Sequence, residues 1–175
     1  MAKLRKMLSD INAPYIQSLM RLIETQSKET IAKWCIGYAE KDLLPLWEEI
    51  YPDDHRPANA LKAAQGYLAG EIKLPDVKIQ INECRNAARE AEGSPIAQGA
   101  ARTIDACSSS VHNSAGSLAL ALYGALTIAY YKAGTNAPWP VLEESAAEEC
   151  VRMEAALRSI TIENELNPAK IKWGC

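Results

Sequence analysis

Residues 53–71 read DDHRPANALKAAQGYLAGE, and this stretch decides the fold. Pro57 suits the first turn of a helix, where its missing N–H costs no intrahelical bond. Asp54, just ahead, can cap the orphan N–H groups of that turn. Ala60, Leu61, Ala64, Tyr67 and Leu68 then fall on one face at helical spacing. Gly70 suits the C-terminal stop. A helix over about 57–69 follows, and nothing in it has the pattern of an active site.

The same punctuation recurs outward in both directions. An opening helix is expected over Ala13–Thr25, with Pro14 in its first turn. Ser27 can cap the next, which puts Ile31, Trp34, Cys35 and Tyr38 on one side. Asp42 is expected to start a short continuation through Tyr51, with Pro45 in its first turn. Pro75 opens a helix with the seam Val77, Ile81, Cys84, Ala88 and Ala91. Ser94-Pro95 opens another, with the seam Ala97, Ala100, Ile104, Cys107 and Val111. After a break near His112–Gly116, the apolar run Leu118–Tyr131 predicts a central helix stopping at Gly134. A last helix over about 140–162 carries the seam Leu142, Ala146, Cys150, Met153 and Leu157, and the aperiodic tail after Asn164 should lie along the surface. Strand alternation is almost absent. The sequence therefore predicts an all-α fold: one domain over 1–175, an antiparallel helical bundle with a central, mostly buried Ala-rich helix.

At 175 residues the chain is long enough for a real core. Its 23% of charged residues and formal net charge of −3 give no global basic field, so direct nucleic-acid binding is not expected. There is no Phe; four Trp and seven Tyr take the aromatic role, and buried ones need partners for N–H or O–H. Met1–Asp10 carry charge without a hydrophobic run of signal-peptide length, which points to the cytoplasm. The run Leu118–Tyr131 falls short of the about 20 apolar residues a membrane span needs. Cys35, Cys84, Cys107, Cys150 and Cys175 are widely spaced without a CxxC, the pattern of a reduced core with free thiols, Cys175 being placed for an adventitious intermolecular disulfide.

No constellation carries chemistry strongly. Asp53, Asp54 and His55 are the densest potential ligands, but consecutive turn residues do not converge on one metal, and neither a metal nor a cofactor is expected. Arg56 reads as a hydrogen-bonded clamp to Asp54, to Glu40 or to a helix C-terminus, and otherwise as an anion or partner contact. Ser108 and His112 are four apart, yet no Gly-x-Ser-x-Gly elbow accompanies them. Serines at helical spacing more often bond back to the backbone. Arg85, Arg89 and Arg102 lie among acids and read as an ion-pair surface. Glu144 and Glu148 are one turn apart on the outer face of the last helix; Glu148–Arg152 and Glu154–Arg158 fit i,i+4 pairing.

Three blocks in order carry a resemblance: Trp34-Cys35-x-x-Tyr38-Ala39-Glu40; Asp54-x-Arg56-Pro57 with Ala60-Leu61-x-Ala63-Ala64 and Tyr67-Leu68-x-Gly70; and Val111-His112 leading to Ala119-x-Ala121-x-Tyr123-Gly124-Ala125. Over about residues 30–135 the chain resembles a bacterial family of immunity proteins, the fifth-type-like group associated with polymorphic toxin systems. The resemblance implies a non-enzymatic helical protein that binds and neutralises a cognate toxin domain. It attaches to Asp54, Arg56, Pro57, Gly70, His112 and Tyr123. The family pattern has a further His near Gly116 that this chain lacks, which speaks against a two-His site. Asp53, Glu144 and Glu148 are the candidate partner contacts; a homo-oligomer is compatible with the sequence. The competing reading is a helical-bundle enzyme or small-molecule-binding protein with a polar pocket near His112.

Overall fold

Proline sets where most of the helices begin. The computed structural model describes residues 3–174, and Cys175 lies outside them. Its helices are α1 (Pro14–Ile23), α2 (Lys28–Tyr38), α3 (Leu44–Ile50), α4 (Arg56–Leu68), α5 (Leu74–Glu90), α6 (Pro95–Ser109), α7 (Leu126–Ala133) and α8 (Trp139–Arg158), with no strand among the described residues. Pro14, Pro45, Pro57, Pro75, Pro95 and Pro140 each sit in a first turn. The fold is the predicted all-α bundle.

Two expected boundaries are drawn differently. Asp42 starts no new helix. The chain passes from α2 into α3 through a π-helical turn, Ala39–Leu43. Pro45 would leave an unpaired carbonyl and a clash in a regular helix, and one wider turn absorbs both. The expected single helix over 118–131 is also composite: a 3₁₀ turn (Ser114–Leu118), a π-helical turn (Leu120–Ala125) and then α7. Near the end of the second π turn, Gly124 lets neighbouring elements close up, since a Cβ there would meet Thr103 Cγ2 at 3.0 Å and Leu43 Cδ2 at 3.7 Å.

The most central helix is α6 rather than the 118–131 segment. It packs against α2, α3, α4, α5, α7 and both π turns. Its Ala97, Gly99, Ala100, Ala101, Thr103, Ile104, Cys107 and Ser108 are buried, so a broad face of mostly small residues packs inward. A Cβ on Gly99 would stand 2.4 Å from Thr127 Oγ1, so α6 and α7 approach more closely than any other residue allows. The neighbouring segment Ser114–Ala133 is 20 residues with mean hydropathy 1.2, long and apolar enough to cross a membrane, yet 61% of it is buried inside the bundle, as in a core helix. The seams of α5 and α8 are buried as predicted; in α6 only Val111, beyond the helix end, is partly exposed.

Four thiols, Cys35, Cys84, Cys107 and Cys150, are buried and free. Cys35 Sγ lies 2.9 Å from Cys107 Sγ, joining α2 to α6. Burial pushes the Cys150 thiol up to about 12, so it stays protonated at neutral pH. The tail after α8 runs without helix along α1 and α2, with Ala169 N–H donating to the Gln26 carbonyl at 2.8 Å and Trp173 Nε1–H to Glu24 Oε1 at 2.5 Å.

Candidate functional site

The Asp53–Pro57 turn is built as a clamp. Asp54 does not occupy the capping position itself; His55 does, with no side-chain cap bond. Asp54 Oδ1 instead accepts the first helical N–H, that of Arg56, at 3.1 Å. Pro57 has no N–H to satisfy, so a single carboxylate suffices for this part of the turn. The same carboxylate receives the guanidinium side-on, Nε to Oδ1 at 3.0 Å and Nη2 to Oδ2 at 2.7 Å. The other carboxylate held by Arg56 is Glu90 of α5, at 2.6 Å, rather than Glu40 or a helix terminus. Hydrogen bonding from Arg56 holds the Asp54 carboxyl below the usual range. Behind the turn, the Trp47 indole N–H donates to the Asp54 carbonyl at 2.8 Å.

Arg56 thus ties α4 to α5 through Nε and Nη2. Replacing it with Ala should cost roughly 1–3 kcal/mol, the range for a lost charge-assisted bond to the half-buried Asp54. Thermal melts check this. A variant as stable as wild type that fails to bind its partner would make Arg56 an interface residue instead.

Gly70 ends α4 in the left-handed region at φ 77°. Its N–H meets the Tyr67 carbonyl at 3.0 Å, and the Glu71 N–H meets the Gly66 carbonyl at 2.8 Å, the two bonds of a Schellman stop. Tyr123 lies in the second π turn under Arg102, whose guanidinium carbon is 5.9 Å from the ring centroid. Trp34 and Tyr38, from the upstream motif, both reach α8: Trp34 Nε1–H donates to the Met153 carbonyl at 2.9 Å and the Tyr38 hydroxyl to Glu149 Oε1 at 2.6 Å. Trp34, Tyr38 and Tyr123 thus each meet a second element, while Gly70 ends its own helix.

His112 does not join the serines before it. Its side chain is exposed in the turn after α6, whereas Ser108 is fully buried and its hydroxyl has no hydrogen-bond partner. Ser109 and Ser110 bond back to the carbonyls of Asp105 (2.9 Å) and Cys107 (2.6 Å). Desolvation and the nearby Lys78 charge hold the His112 pKa below its ordinary value. A nucleophile needs its base within hydrogen-bond reach, and the two candidates face opposite environments. Nothing in this geometry favours the pocket reading at His112. No group of three or more His, Cys, Asp or Glu among the described residues could hold a metal ion.

The principal polar cluster was missed in the sequence. Glu149 is only 3% exposed. Besides Tyr38, it accepts from Arg152 Nε at 2.9 Å and from Lys132 Nζ at 3.5 Å. The expected Glu148–Arg152 pair is therefore replaced by Glu149–Arg152, while Glu154–Arg158 forms at 3.5 Å. Burial pushes the Glu149 carboxyl up, but Tyr38, Arg152 and Lys132 overcome it and hold it below its usual value. Asp42, on the first π turn, is pushed the other way by its own burial and by Glu149. The cluster floors a cleft of about 400 Å³ between α2, α7 and α8, walled by Leu46, Ile128 and Ala156. One signal was available: positions 142, 146, 149, 153 and 157 form an inward seam, and Glu149 stands on it.

The partner candidates are all on the surface. Asp53 is exposed in its turn, and Glu144 and Glu148 are exposed on α8. They share that outer face with Val141 and Val151, 46% and 58% exposed. Of the three arginines read as an ion-pair surface, Arg85 pairs with Asp105 at 3.0 Å, while Arg89 reaches the Asn86 amide oxygen and Arg102 lies over Tyr123. No curated protein and no solved structure matches the chain. A family model does match it, over residues 21–156, a span that begins before and ends after the motif blocks. On that match the chain belongs to the Imm-5 like putative immunity protein family.

Proposed function

We propose that the protein is an immunity factor of a bacterial polymorphic toxin system, acting in the cytoplasm by binding and neutralising a cognate toxin domain without chemistry of its own. Family membership is the observation that carries this reading. The motif residues support it by their use: Trp34, Tyr38, Asp54 and Arg56 are spent on holding helices together, which leaves a rigid body whose outer surface is free to specialise. A preformed surface binds at low ordering cost.

The outer face of α8 is the proposed contact, with Asp53 as a second. Val141, Glu144, Glu148 and Val151 present two carboxylates between two exposed valines. Such a face suits a basic toxin domain, because opposite charge steers encounter and the flanking valines add burial. Co-expression with the product of the adjacent gene tests the reading. Wild type should bind and protect, and the double variant Glu144→Lys, Glu148→Lys should bind at least tenfold more weakly with an unchanged melt. If wild type neither binds nor protects, the immunity reading falls; if the double variant protects fully, this face is removed and the reading stands.

A further inference from the structure

The chain after α8 returns to the body and leaves it again as a closed loop. Gln26, 3% exposed, holds the loop's base. Its side-chain oxygen accepts the Ile162 N–H at 2.8 Å, and its amide NH₂ donates to the Ile162 carbonyl at 3.3 Å. Its backbone carbonyl accepts the Ala169 N–H at 2.8 Å. One residue of the bundle therefore grips both ends of the segment 163–168. Within the loop, Glu165 Oε1 accepts the Asn167 N–H at 3.0 Å, and Asn164 turns the chain at φ 54°. Short loops closed at the base in this way keep a fixed shape and frequently carry function.

The fixed loop displays an apolar residue. Leu166 is 97% exposed and touches almost nothing, with Ile162 53% exposed at the base. Clefts of about 800 and 710 Å³ flank the loop, and Ile162, Glu165 and Pro168 line both. The larger cleft is lined by Glu24, Glu163 and Glu165 and by no Lys or Arg. Arg21 pairs with Glu24 from outside it, at 3.2 Å. The other cleft is mixed, with Lys28, Lys33 and Lys170. A leucine fixed in water beside an acidic hollow offers a partner an apolar contact and a charge complement together, and its ordering cost is already met by the fold.

We infer that the loop 163–168 is a recognition finger for the toxin domain: Leu166 enters an apolar socket on the partner, and basic side chains beside that socket fill the Glu24–Glu163–Glu165 cleft. The inference rests on the immunity reading and adds where discrimination between toxins resides. The family match covers 21–156, so the finger lies outside the shared span. A shared bundle with a separate finger allows recognition to change without disturbing the core, since none of Glu163, Leu166 or Asn167 is buried.

The test titrates the full chain against the catalytically inactivated toxin domain encoded by the adjacent gene. Leu166→Asp should weaken binding at least tenfold, and Leu166→Ala severalfold. Glu163→Lys with Glu165→Lys should weaken it most at low salt. All three should melt with wild type. Variants that bind within twofold of wild type overturn the finger and leave the immunity reading intact. A wild type that does not bind overturns both. Leu166→Ala guards against the charged variant perturbing the fold, because it removes only exposed atoms.

Discussion

Trp47→Ala is expected to lose roughly 3–5 kcal/mol of stability, a large part of the about 5–15 kcal/mol that folded domains commonly have. The indole is 1% exposed in the main core and stacks at a tilt against Tyr51, with ring centroids 4.7 Å apart. Removing it leaves a cavity between α3 and its neighbours and deprives the Asp54 carbonyl of its donor. The damage should therefore spread to the Asp54–Arg56 clamp, and the melting temperature should fall by about 6–20 °C. Trp47→Phe keeps one aromatic ring in the core but loses the N–H and the rest of the bicycle, so its cost should fall between wild type and Trp47→Ala. A Trp47→Ala melt within a few degrees of wild type would mean that the turn is held by Arg56 alone.

Glu149→Ala should cost roughly 3 kcal/mol, the low end for breaking a buried pair. The low end applies because Lys132 and Arg152 are half-exposed and can return to water. The Tyr38 hydroxyl cannot do so as easily; burial and the Glu149 carboxylate both push its pKa up, so it remains a proton donor that needs an acceptor. The pH dependence has a definite sign. A carboxyl held below its unfolded value stabilises the fold above that value, near about 4.3 for Glu, and the contribution fades as pH falls through the lower folded value. Urea melts of wild type and variant should thus differ fully at pH 7 and converge below about pH 4. Asp42 provides an internal check: with the Glu149 charge gone, its raised carboxyl should titrate at lower pH. A gap that stays constant from pH 7 to pH 3 would show that packing, not charge, is what Glu149 supplies.

Much of the architecture is legible in local sequence because it is local physics. Proline in a first turn, Ser27 accepting the Thr30 N–H at 3.2 Å, and glycines at φ 77° and 92° fix where helices start and stop without reference to anything distant. Apolar seams at helical spacing specify the buried faces of α5 and α8 for the same reason. The ordered motif blocks likewise suffice to place the chain in its family. Only tertiary packing decides what lies between these signals. The two π turns meet α6 where Leu43, Thr103 and Gly124, residues far apart in the chain, come together. Glu149 gains a whole network beyond its near neighbour Arg152 because Tyr38 and Lys132 arrive from α2 and α7. Arg56 finds Glu90 rather than Glu40 because α5 lies beside α4. The finger at 163–168 exists only because Gln26, 136 positions before Ile162, supplies its base. A hydrogen bond across such a separation leaves no periodic trace in the sequence. Its partners are chosen by which helices touch, and that follows from how small residues let α6 draw the rest of the bundle around itself.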